Sequence, residues 1–206
     1  MDNITSTVEH AISPLANWSE RFAALAPAVL LAERPVAAVV VRTNDPAVAT
    51  TLGLASACRV RRTGDEVAVW LGPDEWLLYR PGRTGHEYLA EVGNRLSGVP
   101  DNARAGTYLI DATGQRTRLL LDGPYAETIL AHGCAIDVSP GVFGPDHAAQ
   151  TLLAQAGVLV HRTAGTDTGF TLFVRSSYAD YLARWLTDAS TEYITRPPSL
   201  RVSQHP

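Results

Sequence analysis

Val67-Ala68-Val69-Trp70-Leu71-Gly72-Pro73-Asp74-Glu75-Trp76-Leu77-Leu78-Tyr79 is the stretch on which the fold turns. Its two ends are rich in β-branched and aromatic side chains, which favour a pleated, buried surface. Gly72, Pro73 and Asp74 between them are turn formers, each suited to reversing the chain. Residues 67–71 and 76–79 therefore read as two strong strands joined by a turn. Working back toward the N-terminus, residues 58–62 make a weaker strand. Residues 36–42 form a β-branched apolar run ending in polar residues, which marks a buried strand. Between them, Asn44-Asp45-Pro46 supplies a cap and a first-turn proline for a short helix ending near Gly53. Working forward, residues 86–96 predict a helix, and residues 98–104 are a polar, turn-rich break.

The second half follows the same order. Residues 107–111 and 117–121 read as strands. Asp122-Gly123-Pro124 then opens a helix carrying Ala126, Ile129 and Leu130 on one face. Residues 158–161 and 170–174 form a strand pair across the glycine-rich loop 165–169. Tyr181, Leu182, Trp185 and Leu186 fall at helical spacing within a helix over 178–189. The parallel between Thr43-Asn44-Asp45-Pro46 and Leu121-Asp122-Gly123-Pro124 supports a repeat. The expectation is an α+β protein of two pseudo-repeated βαββα, ferredoxin-like units, with helices packed on antiparallel sheets. Residues 34–189 make one globular domain, its repeats spanning about 34–103 and 104–189. Residues 1–33 form an arm and residues 190–206 an extended or disordered tail. Within the arm, Ser13-Pro14 starts a helix whose Leu15, Trp18, Phe22 and Leu25 recur every three or four residues. That stripe can pack on the chain's own core or dock on a partner, and the four residues are the candidate interface.

Composition narrows the chemistry. With 46% hydrophobic and 18% charged residues the 206-residue chain is an ordinary globular protein. Its net charge of −4 opposes broad nucleic-acid binding, and Arg59, Arg61 and Arg62 read as a solvated strand end. An RNA-binding ferredoxin-like module would also need an aromatic and basic sheet face, which the strands do not provide. All 17 basic residues are arginine, which excludes a Schiff-base or phosphate-binding lysine. No apolar run approaches membrane-spanning length and no export signal opens the chain, so the expected compartment is the cytoplasm. Cys58 and Cys134 are expected to be reduced and buried. The six histidines lack zinc-ligand spacing, and neither a GxSxG elbow nor a GxGxxG fingerprint is present. The adjacent carboxylates Asp65-Glu66 and Asp74-Glu75 lie at turns, where solvation is the expectation. No catalytic, cofactor-binding or metal-binding set emerges.

Five stretches carry a family resemblance: SPLA (13–16), WLGPDEWLLY (70–79), LDGPYAETILAHGCAIDVSP (121–140), AQTLLAQAGVLVHR (149–162) and LFVRSSYADYLARWLTDA (172–189). In this order and spacing the chain resembles the gamma subunit of heterotetrameric sarcosine oxidase. That family is similar to the folate-binding aminomethyltransferases of the glycine cleavage system, so the resemblance implies an aminomethyltransferase-like folate-binding fold. It implies a non-catalytic accessory subunit in a complex that demethylates sarcosine to glycine with oxygen, giving hydrogen peroxide and a folate-bound one-carbon unit. The implied partners are the alpha, beta and delta subunits. The implied cofactors of the complex are FAD, FMN, NAD and tetrahydrofolate, none bound by this chain. In the aminomethyltransferases the counterpart of residues 155–161 reads like QGGILDD, with an aspartate assisting one-carbon chemistry. Here the acidic pair is Val160-His161, and valine can neither accept nor align a proton. The other reading is a freestanding folate-dependent one-carbon transfer protein, for which Asp111 is the in-strand acid.

Overall fold

A computed structural model of the chain describes residues 13–194. In chain order the elements are α1 (Ser19–Ala23), β1 (Leu30–Glu33), β2 (Ala37–Arg42), α2 (Pro46–Leu52), β3 (Val60–Thr63), β4 (Glu66–Gly72) and β5 (Glu75–Arg80). There follow α3 (Gly85–Arg95), a 3-10 turn at Leu96–Gly98, α4 (Asp101–Arg104), β6 (Tyr108–Asp111), β7 (Arg116–Asp122) and α5 (Ala126–Ala131). The remainder is β8 (Ala148–Leu153), β9 (Ala156–Arg162), β10 (Phe170–Arg175), a 3-10 turn at Ser176–Tyr178 and α6 (Ala179–Ile194).

Local chemistry accounts for most of these boundaries. The Asp45 carboxylate accepts from the backbone N–H of Ala47 at 2.8 Å and Val48 at 3.3 Å, and Pro46 occupies the first turn of α2. Gly53 stops that helix at φ +65°, a conformation that costs glycine nothing. Thr84 and Glu87 cap α3 reciprocally. The opening hairpin forms as read: Val67 pairs with Tyr79, Val69 with Leu77 and Trp70 with Trp76, with a bulge between Trp70 and Gly72. Its tip fastens β2, since the Asp74 carbonyl accepts from the Thr43 N–H and its carboxylate lies 3.0 Å from Arg42.

Two five-stranded antiparallel sheets result, in the orders β3-β4-β5-β2-β6 and β8-β9-β10-β7-β1. Written this way the repeat is explicit. Each unit is β-α-β-β-β-α rather than βαββα, because β8 adds a third strand to the second. A further strand precedes each unit and is exchanged. β1 precedes β2 in sequence yet pairs with β7, and β6 precedes β7 yet pairs with β2. The inner faces of the two sheets meet around Val40, Val69, Leu77, Tyr79, Leu159 and Phe173. α2 and α3 cover the outer face of one sheet, and α1, α5 and α6 that of the other. The layers are thus helices, sheet, sheet, helices, and each sheet buries both faces.

The N-terminal segment departs from the expected arm. Among its described residues, 13–33, only Ser19–Ala23 are α-helical, and Leu30–Glu33 becomes the edge strand β1. Gly123 makes this possible: a Cβ there would sit 3.3 Å from both the Ala28 carbonyl and the Val29 Cα. At the other end α6 continues through Ile194, five residues beyond the expected stop, and the remainder of the expected tail lies outside the described residues.

Because each unit completes its sheet with a strand from the other's side of the sequence, neither half should fold alone. Separately produced polypeptides 13–105 and 106–194 are expected to lack cooperative unfolding and amide-exchange protection, and to regain both on mixing. Cooperative unfolding of either piece alone would contradict the interlock. Within the interface, Phe173→Ala should cost about 3–5 kcal/mol in a denaturant titration, as for a fully buried phenylalanine.

Candidate functional site

The stretch that the resemblance singles out, residues 155–161, runs from the turn before β9 along that strand, which lies between β10 and the edge strand β8. Strand alternation turns Val160 toward the helices and His161 toward the opposite sheet, and each is 1% exposed. Tyr79 reaches His161 from β5, its hydroxyl 2.9 Å from Nε2. Nδ1 lies 2.7 Å from the Arg162 carbonyl. A carbonyl can only accept, so Nδ1 carries the proton and Nε2 takes the Tyr79 hydrogen. The Tyr79 ring stacks near His161, tilts against Phe173 at 4.9 Å and lies 5.2 Å beneath the Arg118 guanidinium. Burial pushes the His161 imidazole down to about 3, with Arg62 and Arg118 adding to the effect. Burial likewise raises the Tyr79 hydroxyl, against the pull of Arg118 and Arg62. A folate does not fit this position: valine offers no lone pair, and both histidine nitrogens are committed.

Next to it, Arg162 governs a cavity of about 650 Å³ lined by Tyr125, Glu127, Thr128, Pro140 and Phe143, among others. The Arg162 guanidinium is 4% exposed as a residue and fully engaged. Its Nε donates to the Phe143 carbonyl at 3.0 Å, and its two terminal nitrogens donate to the Asp167 carbonyl at 3.2 Å and the Val138 carbonyl at 2.7 Å. Glu127 lies 3.6 Å away as its counter-ion, and the Phe170 ring lies beneath it. Asp122 at the rim accepts from the Gly123 N–H and the Thr166 and Thr168 hydroxyls. These groups tie the 137–147 and 163–169 loops together.

The remaining sequence candidates are dispersed. Leu15, Trp18, Phe22 and Leu25 are 3%, 5%, 6% and 1% exposed and belong to the core beneath α5 and α6. Trp18 is further pinned by its indole N–H, which donates to Asp180 at 3.0 Å. That stripe is consumed within the chain's own core. Asp111 stands exposed at the end of edge strand β6, capping the Thr113 N–H at 2.9 Å rather than facing an apolar pocket. Cys58 is exposed, not buried, because it sits in a turn at φ +57° ahead of β3, and Cys134 is half-buried. Arg62 is half-buried rather than solvated, donating to the Arg162 carbonyl at 2.6 Å. Asp65 stays exposed, but its neighbour Glu66 does not. Glu66 is 9% exposed, accepts from Tyr88 at 2.7 Å and takes a forked pair from Arg95 at 2.9 and 3.1 Å. This network locks α3 onto its sheet. Strand alternation puts Glu66 on the face of Ala68, but the arginine that pairs with it lies 29 residues away, so the sequence did not announce the network. Of the histidines, His10 and His205 lie outside the described residues. Among the described residues no cluster of three His, Cys, Asp or Glu side chains could hold a metal ion, and no helix is long and apolar enough to cross a membrane.

Comparison with known proteins points the same way. A protein-family model described as "Sarcosine oxidase, gamma subunit family" matches residues 22–192. The sarcosine oxidase subunit gamma of Corynebacterium sp. (strain P-1) is 33% identical over 129 residues, covering 63% of this chain and 59% of that relative. The match therefore spans less than two thirds of the relative's length. Among solved structures, a chain of the heterotetrameric sarcosine oxidase from Corynebacterium sp. U-96 in complex with pyrrole 2-carboxylate superposes with a TM-score of 0.77 at 27% identity, over 91% of this chain and 98% of that one. The glycine cleavage system aminomethyltransferase T from Bartonella henselae superposes with a TM-score of 0.58 at 16% identity, over 81% of this chain and 47% of that one, a likeness of fold alone.

The buried neutral His161 has a measurable consequence. Its value falls from 6.5 in the unfolded chain to about 3 when folded, so its stabilisation is complete above pH 6.5 and is lost as pH falls below that. At roughly 1.4 kcal/mol per unit, the chain should lose about 2–3 kcal/mol more between pH 6.5 and 4.5 than a His161→Gln variant. Parallel denaturant titrations across that range check it, and identical pH slopes would refute it.

Proposed function

The chain belongs to the sarcosine oxidase gamma subunit family, and on that premise we propose that it is the non-catalytic gamma subunit of a heterotetrameric sarcosine oxidase. The observation that carries this reading is the superposition over nearly the whole of one chain of such an enzyme. In this role it assembles with larger alpha and beta chains and a small delta chain in the cytoplasm. The complex oxidatively demethylates sarcosine: the N-methyl carbon passes to tetrahydrofolate, glycine is released and oxygen is reduced to hydrogen peroxide. FAD, FMN, NAD and folate reside on the other chains in this reading. This chain's own contribution is mechanical. A stable obligate interface buries more than roughly 2,000 Å², and a four-layered body with both sheets filled is a rigid surface for that purpose. The alternative, a freestanding one-carbon transfer protein, has no observation in its favour: Asp111 caps a turn at the surface, and Val160 and His161 are sealed in the interior.

Tagged chain purified from its native cell should bring down two larger chains and a small one, with flavin absorbance and sarcosine-dependent peroxide formation in the eluate. The chain alone should show neither. A purified single chain that turns over sarcosine, or an eluate free of flavin, would sink the proposal.

A further inference from the structure

The two repeats place opposite chemistry at equivalent register positions. In the first sheet the cross-strand row Val60, Val69, Leu77 and Val40 is apolar throughout. The matching row of the second is Gln150, Leu159, Phe173 and Arg118. Two residues along on the same face, Ala38 pairs with Tyr79 in the first sheet, and Arg116 pairs with Arg175 in the second. The fold itself is therefore satisfied by apolar groups at these positions, and the arginines answer to something else.

Nor do they form ion pairs with acids among the described residues. Arg116 and Arg175 stand directly opposite each other, an arrangement of like charges that destabilises a sheet. Burial and then the Arg175 charge pull Arg116 below its ordinary value, with Glu75 opposing from outside ion-pair distance. Arg118 is likewise drawn down by burial, rests on the Tyr79 ring and has a buried Nε–H without an acceptor among the described residues. Arg34, whose N–H donates to the Arg118 carbonyl, brings a fourth positive charge alongside. None of Arg116, Arg118 and Arg175 pairs with a carboxylate among the described residues, although acids outnumber bases 21 to 17 in the chain. Beside the strip, β6 leads into β7 through a turn in which the Gln115 N–H donates to the Ala112 carbonyl. That edge strand leaves Tyr108 and Ile110 64% and 46% exposed on the face it shares with Val40.

We propose that Arg116, Arg118 and Arg175 form a receiving strip for an acidic polypeptide segment, with Asp or Glu side chains, of one of the larger chains of the assembly. This rests on the subunit reading above. Guanidinium forks take carboxylates in a planar, two-bond geometry, and two adjacent strands space them as successive acidic side chains require. The neighbouring apolar edge favours a polypeptide over a small anion, because carboxylates and apolar side chains together match both surfaces. The exposed Arg175 also leaves the strip open at its end.

The absence of lysine makes the test direct. In an Arg175→Lys variant the introduced ammonium and the chain's N-terminus are the chain's only amines, so carbodiimide treatment of the assembled complex should cross-link residue 175 to an Asp or Glu of a larger chain, identified by mass spectrometry. An Arg184→Lys control on α6, where Asp180 is the neighbouring acid, should cross-link only within the chain and to none of the larger chains. The Arg116→Gln/Arg175→Gln double variant should bind the larger chains at least about tenfold more weakly, with a flatter salt dependence. Its isolated fold should melt no lower than wild type, since a repulsion has been removed; a purely structural role predicts a lower melting point. Wild-type assembly by the double variant, or the absence of any cross-link at residue 175, overturns the proposal. Stabilisation of the isolated wild-type chain by inorganic phosphate, lost in the double variant while assembly is unchanged, makes the strip a small-anion site and also overturns it. Failure of the wild-type chain itself to assemble would instead fall on the subunit reading.

Discussion

Two sheets that must each be covered on both faces set the terms for everything else in this chain. Helices cover the outer faces, and only the sheets themselves are left to cover the inner ones. The exchange of β1 and β6 follows this geometry: the strand nearest in sequence lies on the wrong sheet, and each is completed across the interface. Unpaired edges invite association, and an exchanged strand converts one edge of each sheet into a link between the units. The result is a body in which no unit can move without disturbing the other.

Polar groups inside such a body have to be satisfied, because an unpaired buried polar group costs about 1–3 kcal/mol. Three networks do this. Tyr79 and His161 close a chain from phenol to imidazole to backbone carbonyl between the sheets. Arg162 collects three carbonyls and Glu127 under the loops. Glu66 joins Tyr88 and Arg95 on the helical side. All three contain residue types that serve in active centres, and in each the phenol, imidazole or carboxylate group is bonded to a partner within the chain.

What could be read from the sequence was local. The 67–79 hairpin, the Asp45-Pro46 cap and the long C-terminal helix each announce themselves within a dozen residues, through turn chemistry or a 3.6-residue period. What escaped depends on distant partners. Leu30–Glu33 and Ala148–Leu153 carry no decisive alternation, and they become strands because β7 and β9 present open edges to them. Glu66 is buried by an arginine 29 residues away, and Arg162 by carbonyls 19 and 24 residues back. The Leu15, Trp18, Phe22 and Leu25 stripe shows the limit well. Periodicity reveals that a helical face is apolar, and says nothing about which molecule covers it.

The inner faces also differ in character from a ligand-binding interior. A substrate channel requires acids held near open space, with hydrogen-bonding capacity reserved for a ligand. Here Val160 packs toward the helices while His161 fills the inter-sheet layer, and the imidazole stays neutral because burial disfavours its charged form. A carboxylate at position 161 would face the same burial, beside a Tyr79 hydroxyl able to donate only one hydrogen bond, and would weaken the contact that holds the sheets together. Closing the interior in this way stabilises the body and leaves the surface as the place where sequence is free to specialise. Charges that the core does not need, such as those on Arg116 and Arg175, are the ones the proposed receiving strip draws on.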